Sequence, residues 1–108
     1  MLTLQVIICS TRPGRVGPAI GAWMAEQART HAQFLVELVD LADYKLPVYD
    51  EPDFPRSGNY EHEHTRRWSA TVTRADAFVF VTPEYNFSAP SALVNALQFL
   101  FHEWNYKP

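Results

Sequence analysis

Three short apolar runs alternate with three stretches of helical periodicity. Leu2 to Cys9 is apolar at both parities and rich in β-branched residues, the pattern of a strand covered on both faces. Pro18 to His31 places Ile20, Trp23, Met24 and Ala28 on one side at helical spacing. Proline at a first helical turn removes a donor that has no partner there anyway. Phe34 to Leu41 reads as a second strand, and Glu37 within it predicts a sheet edge. Pro47, Pro52 and Pro55 predict an irregular loop from Ala42 to Gly58. Asn59 is a candidate cap for a helix from Tyr60 to Arg74. Asp76 to Thr82 is apolar on both faces, which predicts a central strand. Pro90 to Trp104 closes the pattern as a helix with Leu93, Ala96, Leu97, Leu100 and Phe101 on its packing stripe.

Single strands separated by helices predict a three-layer αβα fold, with a parallel sheet joined by right-handed crossovers. In such sheets ligands bind beyond the carboxyl ends of the strands, where neighbouring crossovers diverge. If the first and third strands are neighbours, two loops share that edge: Ser10 to Gly17 and Pro83 to Ala89.

The 108 residues allow one domain. Apolar content of 47% against 19% charged residues excludes a disordered or collagen-like chain. A net charge of −3 offers no basic footprint for nucleic acid or an anionic membrane. Cys9 is the single cysteine and cannot close an internal disulfide, so a reducing compartment is expected. The first residues lack a basic leader and a small-residue cleavage site, so the expected location is the cytoplasm.

The first loop, CSTRPGRVGP, joins a strand to a helix start, where free backbone N–H groups and the helix dipole favour a phosphate. Ser10 and Thr11 add hydroxyls, and Arg12 and Arg15 add charge-assisted donors. The plainer reading is a tight turn with solvated arginines. The pattern is neither a P-loop nor G-x-G-x-x-G. Cys9 and Arg15 also show the C-x5-R spacing of low-molecular-weight tyrosine phosphatases, in which a thiolate attacks phosphorus, although Val16 stands where a hydroxyl usually follows the arginine. The alternative for Cys9 is a small buried residue closing the strand.

The second loop, TPEYNFSAP, combines a stiffening proline, polar groups and an aromatic pair, a mixture suited to a flat heteroaromatic ligand. From the residues alone, Tyr85 and Phe87 could equally fill the core. STRPGR after the first strand, ADAFVFVTPEYN at the third, the following S-A-P and the closing EWNYKP together resemble the NAD(P)H-dependent FMN reductases, a flavodoxin-like family. The resemblance runs over essentially the whole chain and implies sheet order 2-1-3 for these three strands. It implies FMN and NAD(P)H as cofactors, with Ser10, Thr11, Arg12, Arg15 and the Val16 backbone at the FMN phosphate. Pro83, Glu84, Tyr85, Asn86 and Ser88 would lie against the isoalloxazine ring, with Asn86 nearest its reactive edge. No side chain is expected to act as acid, base or nucleophile. The sequence departs from the family at Cys9, Phe87 and Val94, where glycine, histidine and lysine are usual.

Family members continue into fourth and fifth strands, so the chain is expected to represent their N-terminal part. Its third strand would pair with the remainder or with a second copy, as a homo-oligomer. A truncated module that binds flavin or a partner without turnover is the alternative function. His62 and His64, two apart on a helix, would not share a face, so no metal is expected there. His31 and His102 are expected at the surface, and Trp23, Trp68 and Trp104 in packing roles.

Overall fold

The computed structural model describes residues 1–108. It contains a three-stranded parallel sheet in the order β2-β1-β3, formed by β1 (Leu2–Ile8), β2 (Phe34–Asp40) and β3 (Ala77–Val81). The helices are α1 (Gly17–Thr30), α2 (Glu63–Thr73) and α3 (Ser91–Gln98). Flavodoxin-like order is thus observed. The central strand is β1, whereas β3 lies at an edge and is half-buried throughout, against the expectation drawn from its apolar faces.

Alternation along β1 divides the core. Gln5, Ile7 and Cys9 face α2 and α3, and Ile8 faces α1. The larger core joins Ile7, Val39, Trp68, Val72, Phe99 and Leu100. Trp68 is fully buried and donates its indole N–H to the Ala96 carbonyl at 2.9 Å, so a large apolar surface is covered without an orphaned donor. Buried Gln5 donates to Glu37 and to the Thr71 carbonyl, at 2.8 and 2.6 Å.

Helix α1 packs through Gly17, Gly21, Ala25 and Ala28. A Cβ at Gly21 would come within 2.5 Å of Ile8, so only glycine lets this helix lie so close to β1. Ile20 and Trp23, expected on the packing face, are instead 50% and 62% exposed. Small residues won the contact because close backbone approach excludes bulky ones.

Helix α2 starts at Glu63 rather than Tyr60, and His62, not Asn59, is its first flanking residue. The carboxylate of Glu51 sets this boundary. It accepts from the backbone N–H groups of Glu61 and His62, at 2.7 and 3.0 Å, and from the Thr65 hydroxyl at 2.7 Å. Helix α3 ends at Gln98, before a separate 3-10 turn at His102–Trp104. Glu103 turns the chain there, accepting from Phe101 N–H, the Tyr60 hydroxyl and the Ser69 hydroxyl. Leu97 and Phe101 are consequently exposed, and Phe99 takes the buried position. The proline-rich loop is irregular apart from short 3-10 turns at Leu41–Tyr44 and Pro55–Ser57.

Candidate functional site

Cys9 N–H bonds to the Val81 carbonyl at 2.9 Å, which brings the ends of β1 and β3 together and sets their following loops side by side. A cleft of about 90 Å³ opens between them. Its lining includes Ser10, Arg12, Arg15 and Val16 from the first loop, with Pro83 and Tyr85 from the second. Gly17, Ile20, Val81 and Thr82 complete the wall and were not foreseen. Thr11 turns away into a neighbouring depression beside Lys45 and Asn95. Glu84, Asn86 and Ser88 lie beyond the cleft lining, in the turn that follows it.

The floor has the chemistry of an anion site. Ser10 is 5% exposed, and its Oγ has no hydrogen-bond partner. Gly17 is the first residue of α1, and a side chain there would collide with that same oxygen. Helix α1 has no side-chain cap and no acidic residue in its first turn, leaving its N-terminal donors free. An orphaned hydroxyl, a glycine cradle and an uncapped helix start fit a phosphate group. Arg12 is exposed at the rim.

Arg15 lines the cleft, but its guanidinium is already engaged. Nη1 and Nη2 bind the Asp40 carboxylate at 2.7 Å each, and Nη1 also donates to the Ser10 carbonyl at 2.7 Å. The bond from Arg15 holds the Asp40 carboxyl below its ordinary range against the opposing effect of burial. Asp40 also accepts Ala42 N–H, so one carboxylate joins the first loop to the end of β2. Sequence reasoning missed Asp40, although an acid closing an apolar parallel strand must lie at the ligand edge.

The second loop is a two-residue turn. Tyr85 and Ser88 exchange backbone bonds at 3.1 Å in both directions, and Asn86 and Phe87 have φ of 53° and 64°. Positive φ at both central positions is the type I′ requirement. Glu84 Oε2 accepts Phe87 N–H at 2.6 Å and stiffens the turn. Tyr85 is 40% and Phe87 99% exposed, so neither fills the core.

The phosphatase reading fails on Cys9. Its side chain is fully buried among Ile7, Trp68 and Phe99, and burial pushes the thiol up to about 12. A nucleophilic cysteine needs the opposite shift and an open approach.

The model of the family described as NADPH-dependent FMN reductase matches residues 2–108. An NAD(P)H-dependent FMN reductase of Schizosaccharomyces pombe is 46% identical over 107 residues, which cover 97% of this chain and 54% of that protein. A counterpart from Saccharomyces cerevisiae is 35% identical, covering 99% of this chain and 62% of its own length. The flavoenzyme NAD(P)H:(acceptor) oxidoreductase FerB of Paracoccus denitrificans superposes with a TM-score of 0.75 at 23% identity, over 100% of this chain and 58% of its own. The chain therefore spans a little over half the length of these proteins.

Proposed function

The chain belongs to the NADPH-dependent FMN reductase family, and on that premise we propose that it supplies the phosphate grip and one wall of the flavin site in an oxidoreductase. The reaction is hydride transfer from NAD(P)H to FMN, followed by reduction of a flavin- or quinone-type acceptor. The single observation that carries this reading is the orphaned, buried Ser10 hydroxyl at the uncapped start of α1. Bound FMN would provide the redox chemistry itself. Ser10, the first-turn N–H groups of α1 and Arg12 would hold its phosphate, and Pro83 and Tyr85 would flank the ring.

A cleft of about 90 Å³ suits a phosphate, whereas pockets for flat organic ligands are several-fold larger, on the order of 300 Å³ or more. The ring site is therefore proposed to be completed from outside these residues. Phe78 and Phe80 direct their backbone groups away from β1, and Phe78 N–H is met only by the Pro108 carbonyl at 2.9 Å. A homologous C-terminal segment or a second copy pairing along this edge would enclose the ring. The fully buried thiol and absence of a disulfide suit a reducing cytoplasm.

The same cleft size favours a second reading, a module that holds flavin without turnover. Titration with FMN followed by NADPH separates the two. Binding with bleaching of the yellow colour supports the reductase, and binding without bleaching supports the module. No FMN binding, either by the chain alone or by the chain paired along β3, overturns both. Solution molar mass tests the pairing: a monodisperse monomer that binds and reduces FMN would show that β3 needs no partner.

A further inference from the structure

We propose that the outer face of α3, with the proline-rich loop beside it, forms an interface between two copies of this chain related by a two-fold axis. Two shallow hollows, of about 410 and 530 Å³, lie along that face and meet at Gln98. Val48 and Val94 line the first, and Phe54, Leu100 and Phe101 line the second. Val48 is 86% and Phe54 84% exposed, and Val94 and Phe101 are also open to solvent. Single exposed apolar side chains are ordinary, but a continuous apolar strip marks a contact surface. Val94 stands where lysine is usual in the family, so no charge interrupts the strip at that turn of α3.

The projecting residues are held in place. Asn95 donates Nδ2–H to the Pro47 carbonyl at 2.6 Å and accepts Tyr49 N–H at 3.0 Å, which clamps Val48 from both sides. The Tyr49 hydroxyl donates to the Asp53 carbonyl at 2.7 Å, and Ser57 N–H to the Phe54 carbonyl at 3.0 Å, which fixes Phe54 in the same way. Groups already fixed need little further ordering when they are covered.

The chemistry of the strip selects a second copy. Arg56 is the one charged side chain lining either hollow, and its guanidinium lies over the Phe101 ring, 5.4 Å from the centroid. Aromatic residues and arginine with no other charge are the composition of an interface core, whereas nucleic acid or an acidic membrane requires clustered cations. A two-fold contact also requires projections and hollows on the same patch. Phe54 projects at the rim of the hollow that Phe101 lines. Seating Phe54 in that hollow of the other copy carries Asp53, its chain neighbour, toward the other copy's Arg56. Neither Asp53 nor Arg56 is ion-paired within its own chain, so the axis can form that pair twice.

The test is sedimentation equilibrium of the intact chain over a range of concentrations, without flavin. A reversible rise to twice the 12.4 kDa of one chain is expected, and no further. Phe54→Ser removes little packing from the single copy and should weaken association on the order of a hundred-fold, because each loss is felt twice. Val94→Lys should weaken it similarly. Trp23→Lys, at another exposed apolar residue but on α1 across the sheet, should leave association unchanged. Arg56→Glu should weaken it about ten-fold, and Arg56→Glu combined with Asp53→Arg should restore it. Three outcomes overturn the interface. One is a chain that stays monomeric at every concentration, which would leave the strip to an unrelated partner. Another is a mass that grows beyond the dimer. The third is a dimer that withstands Phe54→Ser and Val94→Lys, as one built on the β3 edge would. A charge exchange that restores nothing would overturn the two-fold register.

Discussion

Arg15 and Asp40 meet as a bidentate pair, Nη1 to Oδ1 and Nη2 to Oδ2 at 2.7 Å, fastening the loop after β1 to the end of β2. A guanidinium held this way has little freedom to follow a ligand. It acts by fixing the Ser10 carbonyl and the loop around it. Arg15→Ala and Asp40→Asn should therefore weaken FMN binding to a similar degree, and the double substitution should add little, because both remove one contact. If Arg15 were a direct phosphate ligand, Asp40→Asn would free it and preserve or tighten binding. Arg12→Ala should cost about ten-fold in FMN affinity, the effect of losing a charge-assisted bond at an exposed rim.

Cys9 is predicted to be inert. With the thiol pushed up to about 12 by burial and no surface exposed, native protein should resist a thiol-specific reagent that labels it once unfolded. Cys9→Ser should destabilise by roughly 1–3 kcal/mol, since a hydroxyl enters an apolar core where the Ile7 carbonyl, 3.5 Å from the present sulfur, is its one partner. Neither the chain nor this variant should hydrolyse a phenyl phosphate ester. Rapid native labelling would show that the strand end opens.

Glu51 does for α2 what a neighbouring cap residue usually does, from ten or more positions away in sequence. Burial raises its pKa, and the bonds from Glu61 N–H, Thr65 and His62 N–H more than reverse this, leaving it below the ordinary 4.5. The folded state thus favours the ionised form. That stabilisation is fully present above about pH 4.5 and is lost as pH falls through the lower folded value. Glu51→Ala should cost about 1–3 kcal/mol near neutrality, because buried donors lose their acceptor. Thermal midpoints measured from pH 6 down to about pH 3 should fall less steeply for Glu51→Gln than for the unsubstituted chain.

What the sequence made legible and what it hid follow one division. Strands β1, β2 and β3 came within a residue or so of their observed bounds, because short, nearly unbroken apolar runs report burial directly. The meeting of the Ser10 and Pro83 loops followed from parallel topology once β1 and β3 were neighbours, an order that the family resemblance implied and the sheet shows. Contacts distant along the chain were illegible. Asp40 on Arg15, Glu51 on α2 and Glu103 on Tyr60 each join residues ten or more apart, and no local pattern records them. Helix α1 misled for another reason: Ile20 and Trp23 outweigh Gly17 and Gly21 in any hydrophobicity count, yet close packing on Ile8 requires the glycines.

Phe87 combines a left-handed backbone with an uncovered ring, φ 64° and 99% exposure. Asparagine precedes it at φ 53°, a conformation asparagine tolerates well. Phenylalanine has no such tolerance and here gains no packing in return. Phe87→Gly would create the Asn-Gly pair that type I′ turns prefer, while keeping the backbone bonds between Tyr85 and Ser88. Relief of the side-chain clash, about 1–2 kcal/mol, exceeds the added entropy of glycine in the unfolded chain, about 0.5–1 kcal/mol. The variant should therefore be more stable, by roughly 0.5–1 kcal/mol in denaturant unfolding at low protein concentration. A loss of stability that grows with protein concentration would instead show the ring buried against another copy, making Phe87 an interface residue.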